Sequence, residues 1–167
     1  MLDTTMFFTV LIGVLIAGLA GWLIFLQRKV QAFEKSSNNQ HSGLQLQAYE
    51  RLTLVAARIA LPNVISRSNI SGISAGEMQD LLTKQIREEF EYNISQQIYV
   101  SADAWKSLKN LKDQNLLIIN RIARSLPSNA SGLDLNKNIL QLLMNDSKAD
   151  IHNLVSEVLS YEAKKLM

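Results

Sequence analysis

The chain has 167 residues, 47% hydrophobic and 19% charged, with 17 Lys+Arg against 15 Asp+Glu for a formal net charge of +2. That length holds at most one ordinary domain, and the near-neutral balance argues against a dedicated nucleic-acid binder, which carries a marked basic excess. The absence of Cys excludes disulfides, Cys-based zinc sites, thiol nucleophiles and thiolate-held clusters.

The hydrophobic excess lies near the amino terminus. Met6 to Leu26 reads MFFTVLIGVLIAGLAGWLIFL, about 21 residues without a charge, the length that crosses a bilayer core as a helix. A cleaved signal peptide fits less well: Asp3 and no Lys or Arg precedes the run, the run is too long for a signal's apolar region, and no small-residue cleavage site follows. A core helix of a soluble protein would need more surrounding chain to cover so uniform an apolar surface. Residues 1–27 are therefore read as a transmembrane anchor. Arg28, Lys29 and Lys35 follow it, so the positive-inside bias places the N-terminus outside and the body in the cytoplasm. Trp22 and Phe25 then lie near the inner interface, Phe7 and Phe8 near the outer one. Gly13, Ala17 and Gly21 recur every four residues, a small-residue seam along which a second helix can approach. The plainer reading is that Gly and Ala are common in membrane helices.

Residues 28–43 read as a polar linker. SSNNQHSG (Ser36 to Gly43) is expected to break the helix as a short flexible tether, so the body spans residues 44–167. Its first helix is expected from Leu44 to Ala60, with Tyr49, Leu52, Val55, Ala56 and Ile59 on one face and Pro62 as its stop. Asn63 to Gly72 reads as a connecting loop.

The second body helix has the clearest start. Ser74 and Glu77 form a capping box, flanked by Ile73 and Met78 as a hydrophobic staple; Met78, Leu81, Leu82, Gln85, Ile86 and Phe90 mark its inner face. Ser101 or Asp103 opens the third, whose stripe is Trp105, Leu108, Leu111, Leu116, Ile119 and Ile122 before Pro127. After a plain loop at Asn129 to Gly132 comes a short fourth helix, Leu135 to Met144, with Ile139, Leu140, Leu142 and Leu143. Asp146 or Ser147 then caps a fifth, with Ile151, Leu154, Val155, Val158, Leu159 and Leu166 facing inward. No segment alternates with period two and no Asn-Gly or Asp-Gly is present. The fold class is all-α: one N-terminal transmembrane helix followed by a bundle of about five amphipathic helices.

The second body helix is rich in acid (Glu77, Asp80, Glu88, Glu89, Glu91) and the third in base (Lys106, Lys109, Lys112, Arg121, Arg124). As consecutive antiparallel helices they either pair along their edges, each exposed pair adding about 0.2–1 kcal/mol, or are simply solvated; the alternative is that the basic stripe meets anionic lipid. Chemistry is sparse. His41 and His152 form no ligand pair, and the Glu88, Glu89, Glu91 cluster lacks the Glu-x-x-His partners of a di-iron bundle. No phosphate loop, dinucleotide fingerprint or nucleophile elbow occurs. The expectation is no enzyme activity, catalytic residue, metal, cofactor or small-molecule substrate. Asn69, Asn93 and Asn129 begin Asn-x-Ser triplets, silent if the body is cytoplasmic.

The most distinctive stretch, Ile86 to Trp105, interleaves Phe90, Tyr92, Tyr99 and Trp105 with acids and amides. These rings either fill the core or form a partner surface. Together with QLQAYERLTL, REEFEYNISQQIYVS and the short anchor, the pattern resembles an uncharacterised family of small single-pass bacterial membrane proteins over most of the body beyond Leu44. That resemblance implies a bacterial inner-membrane setting and no activity or site. The functional expectation is a membrane-anchored helical interaction or scaffold protein, touching lipid and other subunits or a second copy through the anchor; the alternative is an accessory subunit of an inner-membrane enzyme or transport complex. The stalk subunit of a rotary ATP synthase needs one long charged helix, which Pro62, Gly72, Pro127 and Gly132 oppose.

Overall fold

The structure, a computed structural model, describes residues 4–68, 70–145 and 151–167. Among them every regular element is helical: α1 (Thr4–Ile59), α2 (Leu61–Arg67), α3 (Ala75–Tyr92), a 3-10 turn (Ile94–Ile98), α4 (Ala102–Ser125), α5 (Gly132–Asn145) and α6 (His152–Lys164). The chain divides into two compact units, Met1–Gly43 and Leu44–Met167.

In the first unit, Met6–Gln31 is long and apolar enough to cross a membrane, with a window of mean hydropathy 2.5 of which none is buried. The expected break at residues 36–43 is absent, and the backbone there is helical. Ser, Asn, Gln and His cost only tenths of a kcal/mol each as helix residues. With no Pro in the segment and a helix already nucleated on either side, propagation across it is cheap.

In the second unit, residues 44–59 of α1 bury Ala48, Tyr49, Leu52, Val55, Ala56 and Ile59, as their three-and-four spacing requires. Pro62 acts differently from its expected role as a simple stop. Ala60 turns extended (φ −56°, ψ 129°) and Pro62 sits in the first turn of α2, where a missing N–H costs nothing. The segment expected to be loop is thus helix through Arg67, with Leu61, Val64 and Ile65 buried.

The capping box of α3 is present: Ser74 Oγ accepts from Glu77 N (3.3 Å) and Glu77 Oε2 accepts from Ser74 N (2.8 Å). A second box corrects the expected loop at 129–132. Ser131 Oγ accepts from Asp134 N (3.2 Å) and Asp134 Oδ2 accepts from Ser131 N (2.9 Å), so α5 begins at Gly132. The two starts lie side by side, joined by Ala75 N to Ala130 O (2.9 Å) and Gly132 N to Ile73 O (2.8 Å). A Cβ on Gly132 would stand 3.0 Å from Met78 Cβ, so glycine is what permits this approach.

Helix α4 starts on Ser101, whose Oγ accepts from Ala104 N at 3.0 Å, and runs through the middle of the body. It packs on α3, α5 and α6, while α3 also meets α5, and α2 meets both α3 and α5. Its buried Asn115 donates through Nδ2 to the Ile59 carbonyl at 2.7 Å, satisfying an acceptor at the end of α1. The expected caps Asp146 and Ser147 lie outside the described residues, and α6 opens after Ile151 without a side-chain cap. Val155 and Leu159 are buried, whereas Leu154, expected inward, is 62% exposed. Adjacent helical residues diverge by about 100°, so Leu154 cannot share the stripe that Val155 and Leu159 turn to the core.

The acidic and basic helices pack together, but no ion pair joins them among the described residues. Among the described residues the ion pairs are Arg58–Glu89, Lys84–Glu88 and Lys112–Asp113, none of which joins α3 to α4. Glu89 of α3 pairs with Arg58 of α1, Glu88 pairs with Lys84 within α3, and Lys112 of α4 lies 4.6 Å over the Phe90 ring.

Candidate functional site

An open groove of about 670 Å³ lined by charges of both signs lies between α1, α2 and α3. On α1 the spacing of Arg51, Leu54, Val55 and Arg58 keeps all four on one face, and Arg67 joins them from α2. The facing wall is Gln85, Glu88, Glu89 and Tyr92 of α3, ending at Asn93. One wall therefore carries three guanidinium groups and the other two carboxylates.

Two contacts cross between the walls. Arg58 Nε meets Glu89 Oε2 at 2.9 Å, and the Arg51 guanidinium lies 5.9 Å from the Tyr92 ring centroid. Arg67 Nη2 donates to the Arg58 carbonyl at 2.6 Å, anchoring α2 to the end of α1. Ser68 Oγ stands 2.8 Å from Gln85 Oε1, and Asn93 Nδ2 donates to the Glu89 carbonyl at 2.8 Å. What the groove offers a ligand is charge of both signs, unspent guanidinium N–H groups and an exposed ring.

The four aromatic candidates split. Phe90 is buried and stacks on the part-buried Trp105 with centroids 5.0 Å apart, so these two belong to the core. Tyr92 is 76% exposed at the groove and Tyr99 37% exposed after the 3-10 turn. In the first unit Gly13, Ala17 and Gly21 are all exposed, and a Cβ at either glycine would meet nothing within 4 Å. His41 is exposed, and His152 Nε2 lies 3.4 Å from Ser156 Oγ. Of the Asn-x-Ser triplets, Asn93 is buried and Asn129 exposed, while Asn69 lies outside the described residues. Among the described residues no three His, Asp or Glu gather as a metal would require.

Two further features escape sequence reading. Tyr49 Oη donates to Glu162 Oε2 (2.6 Å) and accepts from Ser101 N (3.0 Å), clasping α1, the start of α4 and α6 together. Burial, then the hydrogen bond to Glu162, raises the Tyr49 pKa. Burial pushes Glu162 up, but the Ser101 and Tyr49 hydroxyls and the Lys165 charge outweigh it and hold the carboxyl below its ordinary value. An apolar hollow of about 470 Å³ between α2 and α5, lined by Ile65, Leu133, Leu140 and Met144, is also lined by Asn136, whose buried Oδ1 has no hydrogen-bond partner among the described residues. The arginines of the groove carried a usable signal in their seven-residue spacing at Arg51 and Arg58. Arg67 could not be added while its helix was read as loop.

A family model described as Family of unknown function (DUF7935) matches residues 4–166, taking in the apolar segment as well as the body. No curated protein and no solved structure matches the chain.

Proposed function

The chain belongs to this family of unknown function, and we propose that it is a non-enzymatic, membrane-anchored helical interaction or scaffold protein of the bacterial inner membrane. One observation carries the reading: none of the apolar 18-residue window within Met6–Gln31 is buried. Fifteen large apolar side chains between Met6 and Leu26 stand exposed, and at about 1.5 kcal/mol or more each their cover is worth on the order of 20 kcal/mol. No set of exposed ion pairs on the body approaches that figure. Lipid supplies the cover, with the N-terminus outside and residues 44–167 in the cytoplasm beside Arg28 and Lys29. The Gly13, Ala17, Gly21 face admits a second anchor helix. Tyr92 and Tyr99 are the rings of the aromatic quartet exposed to a partner, while Phe90 and Trp105 stack on each other in the body.

The test is extraction. The full chain should float with membranes after carbonate washing, and a Leu15→Arg, Leu19→Arg variant should appear in the soluble fraction, because each Arg at the centre of a span costs about 2.5–3.5 kcal/mol on insertion scales. Release of the unaltered chain by carbonate would refute the anchor. Orientation is read by thiol labelling, for which the natural absence of Cys is convenient: a cysteine at Gly43 should be protected in intact spheroplasts and react after lysis.

A further inference from the structure

The groove between α1, α2 and α3 separates its charges by wall. Arg51, Arg58 and Arg67 stand on one side, Glu88 and Glu89 on the other. A ligand of one sign would gain on one wall and lose on the other, so a purely acidic peptide or a phosphate group is a poor match. A surface that presents the same two walls in the opposite order matches both. A two-fold axis lying along the groove produces that surface from the same chain, because it carries each arginine wall over the partner's acidic wall at the same level.

We infer that the groove is a self-pairing face that takes the groove of a second copy, arginine wall against acidic wall. The side chains at hand suit this. The Arg58–Glu89 pair is spent inside each copy, while among the described residues Arg51 engages the face of the Tyr92 ring and Glu88 engages Lys84 at 3.8 Å. Leu54 and Tyr92, both exposed in the groove, supply the apolar contact between the charged margins. Pairs of this kind are individually weak, and the proposed anchor is what makes them sufficient: two copies confined to one membrane meet at a high effective concentration. In this respect the inference rests on the membrane reading above.

The experiment uses the full chain in phosphatidylethanolamine/phosphatidylglycerol vesicles. Leu54→Cys provides the only thiol, and a short bismaleimide reports pairing; Leu117→Cys, on the exposed side of α4, is the control. Vesicle flotation is scored first, so that loss of the anchor is seen separately from loss of pairing. Leu54→Cys should crosslink strongly and Leu117→Cys weakly. Adding Arg51→Glu or Glu88→Arg should each reduce the yield about tenfold, since every reversal acts twice across a two-fold interface. Mixing the two variants should restore the yield, because the mixed pair again sets a positive wall against a negative one at both contacts. Circular dichroism confirms that both variants keep their helices. Floating protein that does not crosslink at position 54, or single variants that crosslink as well as the parent, or a mixture no better than its components, would each overturn the inference.

Discussion

Replacing Gly132 by Ala tests the close approach of the α3 and α5 starts. An added Cβ would stand 3.0 Å from Met78 Cβ, 3.1 Å from Ile73 Cγ1 and 3.1 Å from Met78 Cε. The first of these is a carbon fixed to the backbone of α3, so no rotamer change relieves it. Carbon atoms prefer about 3.5–4.0 Å, and easing the contact means moving one helix start from the other by a few tenths of an ångström, across the bonds from Gly132 N to Ile73 O and from Ala75 N to Ala130 O. Overpacking of this kind costs about 1–3 kcal/mol. Against it stands the gain of Ala over Gly in a helix, up to about 1 kcal/mol. The net expectation is destabilisation by about 1 kcal/mol, a fall in Tm of roughly 3–6 °C for a body of this size, measured by thermal circular dichroism of the detergent-solubilised chain. Gly76 provides the internal control. It lies near the start of α3, where an added Cβ would meet nothing closer than Ser74 Oγ at 4.0 Å, so Gly76→Ala should raise Tm by a few degrees. If both substitutions moved Tm in the same direction, the steric account of Gly132 would be wrong.

Asn115→Leu should cost about 1–3 kcal/mol in a denaturant titration, because the Ile59 carbonyl loses its buried donor; an unchanged midpoint would refute that role. Ser131→Ala should cost about 1 kcal/mol, like Ser74→Ala, and amide exchange in the first turn of α5 should accelerate; unaltered exchange would remove the second capping box. The clasp at Tyr49 should work within a pH window. Glu162 lies below its ordinary value, so its stabilisation is complete above about 4.5 and fades as pH falls through the lowered native value. Tyr49 lies above 10.0, so its contribution is complete below that pH and is lost as pH rises through the raised native value. Tyr49→Phe should bring the Glu162 carboxyl upward in an NMR titration, and a titration curve identical to that of the parent would refute the coupling.

Legibility followed periodicity and failed where tertiary contacts decide. The buried faces of α1, α3 and α4 and the Ser74 box were readable because a three-and-four apolar rhythm and a cap are local properties. Pro62 misled because proline both ends a helix and opens one, and only the burial of Leu61, Val64 and Ile65 selects the second role. Ser131 and Asp134 carried a readable cap that the neighbouring Asn, Ala and Gly disguised as loop. Leu154 shows the limit of periodicity at the chain's end, where one turn is apolar on more than one side. The groove is less legible still. Its walls come from three helices, and Arg58 meets Glu89 across 31 positions of sequence, so a charge tally by helix names α4, on which α3 does pack, but misses the ion pair that α3 makes with α1. The Tyr49–Glu162 bond, 113 positions apart, has no local signature.

The paired starts of α3 and α5 have an electrostatic consequence. Each helix N-terminus carries about half a positive charge from its aligned peptide dipoles, and the bridge at Ser74 and Ser131 brings two such ends together. Left bare, they would repel. Glu77 and Asp134 each set a carboxylate over one end, and the hydrogen bonds from Ser74 and Ser131 keep both carboxyls ionised below their ordinary range. Neutralising either one removes a favourable charge from both neighbouring helix ends, so each cap serves the other helix as well as its own, modestly at these exposed positions.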